Sequence, residues 1–211
     1  MESVGFKEWA VVCEAMGRGK QSIILRKGGI AEGRDGFSFK YPEFFLFPTW
    51  FHEQPHRVRE IWNDLGSSPA NAERPTPNAE HRSQRSPATL SAEALIEIRY
   101  FAQLESAHTI TSWQTAQALE PLHILQPEVV RERFEYDEAP GLHIAFVRVF
   151  VLDSSWIFPN EKKYGGCRSW VKLPVLPNNL LLQPVLSDQE HNRVRAQFLE
   201  IIKARVCSGG L

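Results

Sequence analysis

The stretch "LHIAFVRVFVL", residues 142–152, decides the fold class. Only His143 and Arg148 interrupt a run of aromatic, β-branched and other apolar side chains, the composition of a central strand in a sheet. Upstream, "EAPG" (138–141) turns the chain into it, preceded by two short helices, "TSWQTAQALEPL" (111–122) and "PEVVRERFEY" (127–136), the second started by Pro127. Before these, "LIEIRYFAQLESA" (95–107) alternates Ile96, Ile98, Tyr100 and Ala102 with polar partners and reads as another strand. Downstream come the loop "DSSWIFPNEKKYGG" (153–166) and a strand "CRSWVKLP" (167–174). The closing helix "SDQEHNRVRAQFLEIIKARV" (187–206) has Ser187 as N-cap and an apolar stripe of Val194, Phe198, Ile201 and Ile202.

The first third of the chain follows the same logic. "FKEWAVVCEAMG" (6–17) sets Phe6, Trp9, Ala10, Cys13 and Met16 at helical spacing, with Gly17 or Gly19 to end the helix. "QSIILR" (21–26) is a short strand between glycines, "GGIAEGRDGFSFKYPE" (28–43) a loop, and "FFLFPT" (44–49) a buried strand stopped by Pro48. "HEQPHRVREIWNDLG" (52–66) suits a helix with Pro55 in its first turn and Gly66 after its last. Residues 67–91 hold four prolines and no aromatic residue, too little apolar surface to offset the entropy of ordering, so a flexible insertion is expected. Strands at irregular intervals with short helices between them indicate an α+β fold rather than a regular doubly wound sheet. Residues 1–66 and 92–211 are expected to form one domain around the insertion.

The 211 residues, 43% hydrophobic and 23% charged, suffice for one good core. A net charge of −1 excludes a chain coated with positive charge for indiscriminate nucleic-acid binding. The charges are nevertheless segregated. In "GRGKQSIILRKGGI" (17–30), Arg18, Lys20, Arg26 and Lys27 occur without an acid, and residues 162–172 hold Lys162, Lys163, Arg168 and Lys172, again without one. Between these islands, residues 91–158 carry ten acids against four bases. If folding brings the islands together, they form a site for an anion.

Three cysteines, Cys13, Cys167 and Cys207, show no CxxC pairing, which fits a reducing cytoplasm better than a disulfide framework or zinc ribbon. "MESVGFKEWAVVCEAMG" lacks the apolar core of a signal peptide, and no apolar run reaches the ~18 residues of a membrane span. A cytoplasmic protein with no membrane partner is expected. No cofactor motif is present, and none is expected to bind.

Arg26 and Lys27 before Gly28 and Gly29 offer cations and close backbone approach to a phosphate, although the GxxxxGK[ST] spacing is missing; the competing reading is a hairpin end with solvated bases. In "EKKYGGCRSWVKL", Tyr164, Arg168 and Trp170 combine an arginine with aromatics, the equipment for stacking a base worth about 1–3 kcal/mol. Strand alternation would put Arg168, Trp170 and Lys172 on one face; the competing reading turns Trp170 to the core. His52 and His56 stand at i, i+4 with Glu53 and Glu60 nearby, but Pro55 breaks the continuous helix that such a zinc pair needs, so no metal site is expected. Cys167 lacks a local partner for a nucleophile, His143 reads as a core or edge histidine, and "ERFEYDE" as a solvated acidic helix end.

"KEWAVVCEAMGRGKQSIILRKGGI", "FFLFPTWFHEQ" and "GCRSWVKL" resemble the bacterial family designated domain of unknown function 1802, over most of the chain outside the insertion. That resemblance brings no activity with it. A fainter one is to the PUA-like β-barrels, including ASCH domains, with their GxKxxExR motif. Gly19 and Arg26 stand at the motif's glycine and arginine, Lys20 lies one place early, and Ile24 occupies the glutamate position. This similarity implies a small mixed barrel or strongly curved sheet, and RNA or single-stranded nucleic acid as partner. The rival expectations are a metal-assisted hydrolase or nuclease using His52 and His56, and a protein–protein interaction module using exposed aromatics.

Overall fold

The computed structural model describes residues 2–27, 37–50, 54–59, 95–136 and 139–204. Its strands are β1 (Val4–Trp9), β2 (Ile23–Arg26), β3 (Glu43–Thr49), β4 (Leu95–Ile110), β5 (Leu142–Pro159), β6 (Trp170–Lys172) and β7 (Leu182–Pro184). Its helices are α1 (Ala10–Gly17), α2 (Trp113–Ala118), α3 (Pro127–Phe134) and α4 (Asp188–Lys203).

The stretch at 142–152 lies within β5, which is central as expected. β5 pairs antiparallel with β4 from Leu142–Ile110 to Pro159–Leu95, with register shifts between Ile98 and Tyr100 and between Leu104 and Ser106. An unpaired extra residue at such a shift bends the strand and raises its twist, so one long hairpin can serve two packing regions. The other edge of β5 is shared: β2 pairs with residues 143–146 and β7 with residues 150–152. Beyond β4 the order continues β3, β1, β6, with β1 parallel to β3 and antiparallel to β6. The result is a mixed seven-stranded sheet in an α+β fold.

Both faces of the middle of the sheet are covered. Along β3, Phe44 and Leu46 enter one apolar cluster with Phe6, Phe146 and Phe198, while Phe45 and Phe47 enter another with Phe101, Trp156 and Phe158. This is why "FFLFPT" shows no polar alternation. α4 closes the first cluster with Phe198 stacked on Phe146 at 5.1 Å. Ser187 caps it in a full capping box with Glu190.

Several expectations need correction. Phe6 and Trp9 belong to β1, and the helix begins only at Ala10; ladder bonds to β3 and β6 override the helical spacing of these residues. Pro48 is accommodated inside β3, opposite Glu8, rather than ending it. "DSSWIFP" continues β5 instead of looping, with Trp156 and Phe158 buried. The strand expected over 167–174 shrinks to Trp170–Lys172, and β7 was not foreseen. Of the helix expected over 52–66, the described part is a single 3-10 turn, Gln54–Arg57. The insertion at 67–91, Gly28, His52 and Cys207 lie outside the described residues.

The sheet is not closed into a barrel: β2 and β6 are its ends. It curves strongly enough, however, that Arg26 at the end of β2 donates from Nε to Ser169 Oγ, just before β6, at 3.1 Å. The Arg26 end of the first basic island therefore meets the second island through the two ends of one sheet.

Candidate nucleic-acid interface

β1 supplies the centre of the site. Its residues lie between β3 and β6, so side chains there are buried whatever their polarity, and Lys7, Glu8 and Ser169 beside it are all nearly inaccessible. Burying a charge is costly unless it is paired or hydrogen-bonded, so each has a fixed partner. Lys7 Nζ donates to the carbonyls of Gly165 at 3.2 Å and Gly166 at 3.0 Å, clipping the second island to β1. Burial lowers the Lys7 ammonium from its ordinary value; Cys167 acts in the opposite sense, and Arg168 and Arg26 add to the depression. Glu8 accepts the Trp9 N–H at 2.8 Å and faces Arg133 Nη2 at 3.8 Å.

Arg133 was missed by the sequence reading, which took "ERFEYDE" as a solvated helix end. It projects from α3 toward the sheet, donates from Nη1 to Leu25 O at 2.8 Å, and lies 4.7 Å over the Trp9 ring. Arg57 lies over the same ring at 5.6 Å and pairs with Glu132. Burial pushes the Arg133 guanidinium below its ordinary value; Glu8 opposes this, and Arg26 and Arg57 reinforce it. Arg57 and Arg133 share the Trp9 ring, Arg26 acts electrostatically on both Arg133 and Lys7, and Arg168 acts on Lys7, so the five neighbour one another as a cation track whose accessible members are Arg57, Arg26 and Arg168. A signal did exist. Arg133 follows Val130 by three positions and precedes Phe134 by one, so it lies on the apolar face of its helix.

Among the five, Arg26 is half-fixed: Nε is held by Ser169, the guanidinium lies 5.6 Å over Phe6, and the Nη groups have no hydrogen-bond partner among the described residues. Arg168 is exposed, likewise without a hydrogen-bond partner among them. Lys27 donates to Ala139 O. His143, opposite Arg26 in the β2–β5 ladder, meets Thr109 Oγ1 through Nδ1 at 3.2 Å and the Phe37 ring edge-on at 5.4 Å.

The aromatic half of the expected site is corrected. Tyr164 is 3% exposed, packed against Phe47 and Phe158, so neither face is open to a base. Trp170 is half-buried, edge-on to Phe6, Tyr41 and Phe44, with Nε1 donating to Ser38 O at 3.3 Å. Alternation fails because Arg168 precedes the strand. Among the described residues no three His, Cys, Asp or Glu side chains converge as metal ligands, and His56 is exposed on its turn. No described helix is long and apolar enough to cross a membrane.

A solved structure of similar outline is that of a mutant ZmASCH protein from Zymomonas mobilis, 11% identical, covering 92% of this chain and 94% of that one with a TM-score of 0.40. No curated protein matches the chain. The three sequence blocks that resemble this family fall within a family match over residues 5–197, and the chain belongs to the family described as domain of unknown function DUF1802.

Proposed function

We propose that the protein binds single-stranded nucleic acid, RNA in the first instance, along the track from Arg57 to Arg168. The observation that carries this reading is the Arg26–Ser169 hydrogen bond, which sets the Arg26 end of the first island against the second island, more than a hundred residues away in sequence. Cations converging in a partly desolvated setting attract an extended polyanion, and the half-fixed Arg26 fork suits a phosphate. With Tyr164 buried and Trp170 engaged edge-on, backbone phosphate contact supplies the affinity and sequence preference is weak.

Anisotropy titration of labelled single-stranded RNA and DNA across a salt series tests it. Arg26→Ala and Arg168→Ala are each expected to weaken binding and flatten the log–log salt slope by roughly 0.7 per lost phosphate contact. Absence of binding at low salt, or an unchanged slope in both variants, overturns the proposal.

A further inference from the structure

The two aromatics expected to meet bases beside the cation track are closed, Tyr164 by burial and Trp170 by edge-on packing. Among the described aromatic side chains, Trp50 and Tyr136 alone are exposed. Tyr136 stands between Glu135 and Asp137, a setting that repels a polyanion. Trp50 has the opposite setting. It follows Thr49, the last residue of β3, whose Cα partner in the parallel ladder is Trp9. Thr49 Oγ1 donates to Glu8 O at 2.9 Å and fixes that strand end to β1. With neighbouring strands about 4.8 Å apart and successive Cα atoms about 3.8 Å apart, the Trp50 Cα lies within roughly 9 Å of the Trp9 Cα. The Trp9 ring is the one over which Arg57 and Arg133 both lie. Trp50 also stands four residues before the turn that carries Arg57, Gln54–Arg57. Ladder and chain connectivity thus both place it at the Arg57 end of the track. It is 49% exposed, so about half its surface is open to solvent whatever engages the remainder.

We infer that Trp50 stacks an unpaired base of the bound strand, so that the track selects single-stranded over duplex nucleic acid; this rests on the nucleic-acid reading of the track. Phosphate contact alone carries no information from the bases. An indole offers an apolar face to a base while the neighbouring cations hold the adjoining phosphate. In a duplex each base is covered by its stack and engaged at its pairing edge, so a side chain stacks on a base only where the strand is unpaired. Because every base has a π-face, the contact raises affinity without adding sequence preference.

Anisotropy titration of the full chain with a labelled single-stranded RNA and with its duplex tests this, for wild type, Trp50→Ala and Trp50→Phe. Trp50→Ala is expected to weaken single-strand binding roughly ten-fold at every salt concentration, the loss of one stacked base. The log–log salt slope stays as in wild type, because phosphate contacts set it. Trp50→Phe, which keeps a ring, should retain most of the affinity, and wild type should bind the duplex more weakly than the single strand. Inorganic polyphosphate, a polyanion without bases, should displace RNA with the same inhibition constant from wild type and Trp50→Ala. Trp50 is exposed, and an unchanged melting temperature verifies that the variants fold. Equal RNA affinity of wild type and Trp50→Ala overturns the inference and leaves the nucleic-acid reading standing. A flatter salt slope in Trp50→Ala, or an equal loss of affinity for polyphosphate, makes Trp50 a support for Arg57 and likewise overturns it. Duplex bound as tightly as single strand does the same. Absence of wild-type binding removes the nucleic-acid reading, and the stacking role with it.

Discussion

Glu8 is the residue on which the candidate site is balanced. Its carboxylate is 1% exposed, and apart from the Trp9 N–H its compensation comes from Arg133. Removing one member of a buried pair leaves the other charge desolvated and unmatched, at a cost of about 3–5 kcal/mol. Arg133→Met is therefore expected to lower unfolding free energy by roughly 3 kcal/mol in urea denaturation, more than loss of its hydrogen bond to Leu25 explains. Adding Glu8→Gln to that variant removes the stranded charge and should recover at least about 1 kcal/mol. A double variant no more stable than Arg133→Met alone would show that Glu8 draws its compensation from elsewhere. Arg26 and Arg168 were legible as candidates because they lie in acid-free runs. Lys7 and Arg133 were not, because each has an acid next to it and only the fold turns the two apart.

At the scale of elements, legibility followed how locally each one is determined. α4 was readable because its Ser187–Glu190 capping box and its stripe ending at Ile202 are sequence-local. Ser187→Ala removes the two hydrogen bonds that the hydroxyl makes with Glu190, while the backbone N–H of residue 187 keeps its bond to the Glu190 carboxylate, and is expected to cost about 1 kcal/mol, read as a shift of the urea midpoint at constant slope. A midpoint unchanged by the substitution would mean that packing of Phe198 and the His191–Glu105 contact at 2.7 Å hold the helix start unaided. β1 was unreadable for the opposite reason: its partners lie about forty and more than a hundred and sixty residues away. β7, three residues among prolines and asparagines, is a strand solely because the edge of β5 is open there. Gly17, read as a helix stop, has a packing reason too: a Cβ at that position would stand 2.1 Å from the Tyr100 ring.

For the whole molecule, the curvature of the sheet turns a charge pattern into a surface, and that curvature rests on bulges in β4 and β5 that no spacing rule located. The charge islands were visible in the sequence; their meeting was not. The same packing sets a pH limit on the fold. His123 is buried beside Arg59 and Arg133, its Nδ1 accepts the Leu125 N–H at 3.2 Å, and its Nε2 is enclosed without a hydrogen-bond partner among the described residues. Burial first, then Arg59 and Arg133, lower its pKa from 6.5 to about 3. Between those values the unfolded chain takes up a proton that the folded chain refuses, so stability increases with pH there and its full value is present above 6.5. Unfolding free energy is expected to fall by roughly 1.4 kcal/mol for each pH unit below 6.5 on account of His123 alone. Urea denaturation between pH 7.5 and 4.5 measures this, and His123→Asn, which keeps an acceptor for the Leu125 N–H but cannot ionise, should flatten the profile by that amount. Equal slopes in the two proteins would mean that His123 ionises in the folded chain as readily as in the unfolded one, and that the cluster around Arg133 opens before the core does.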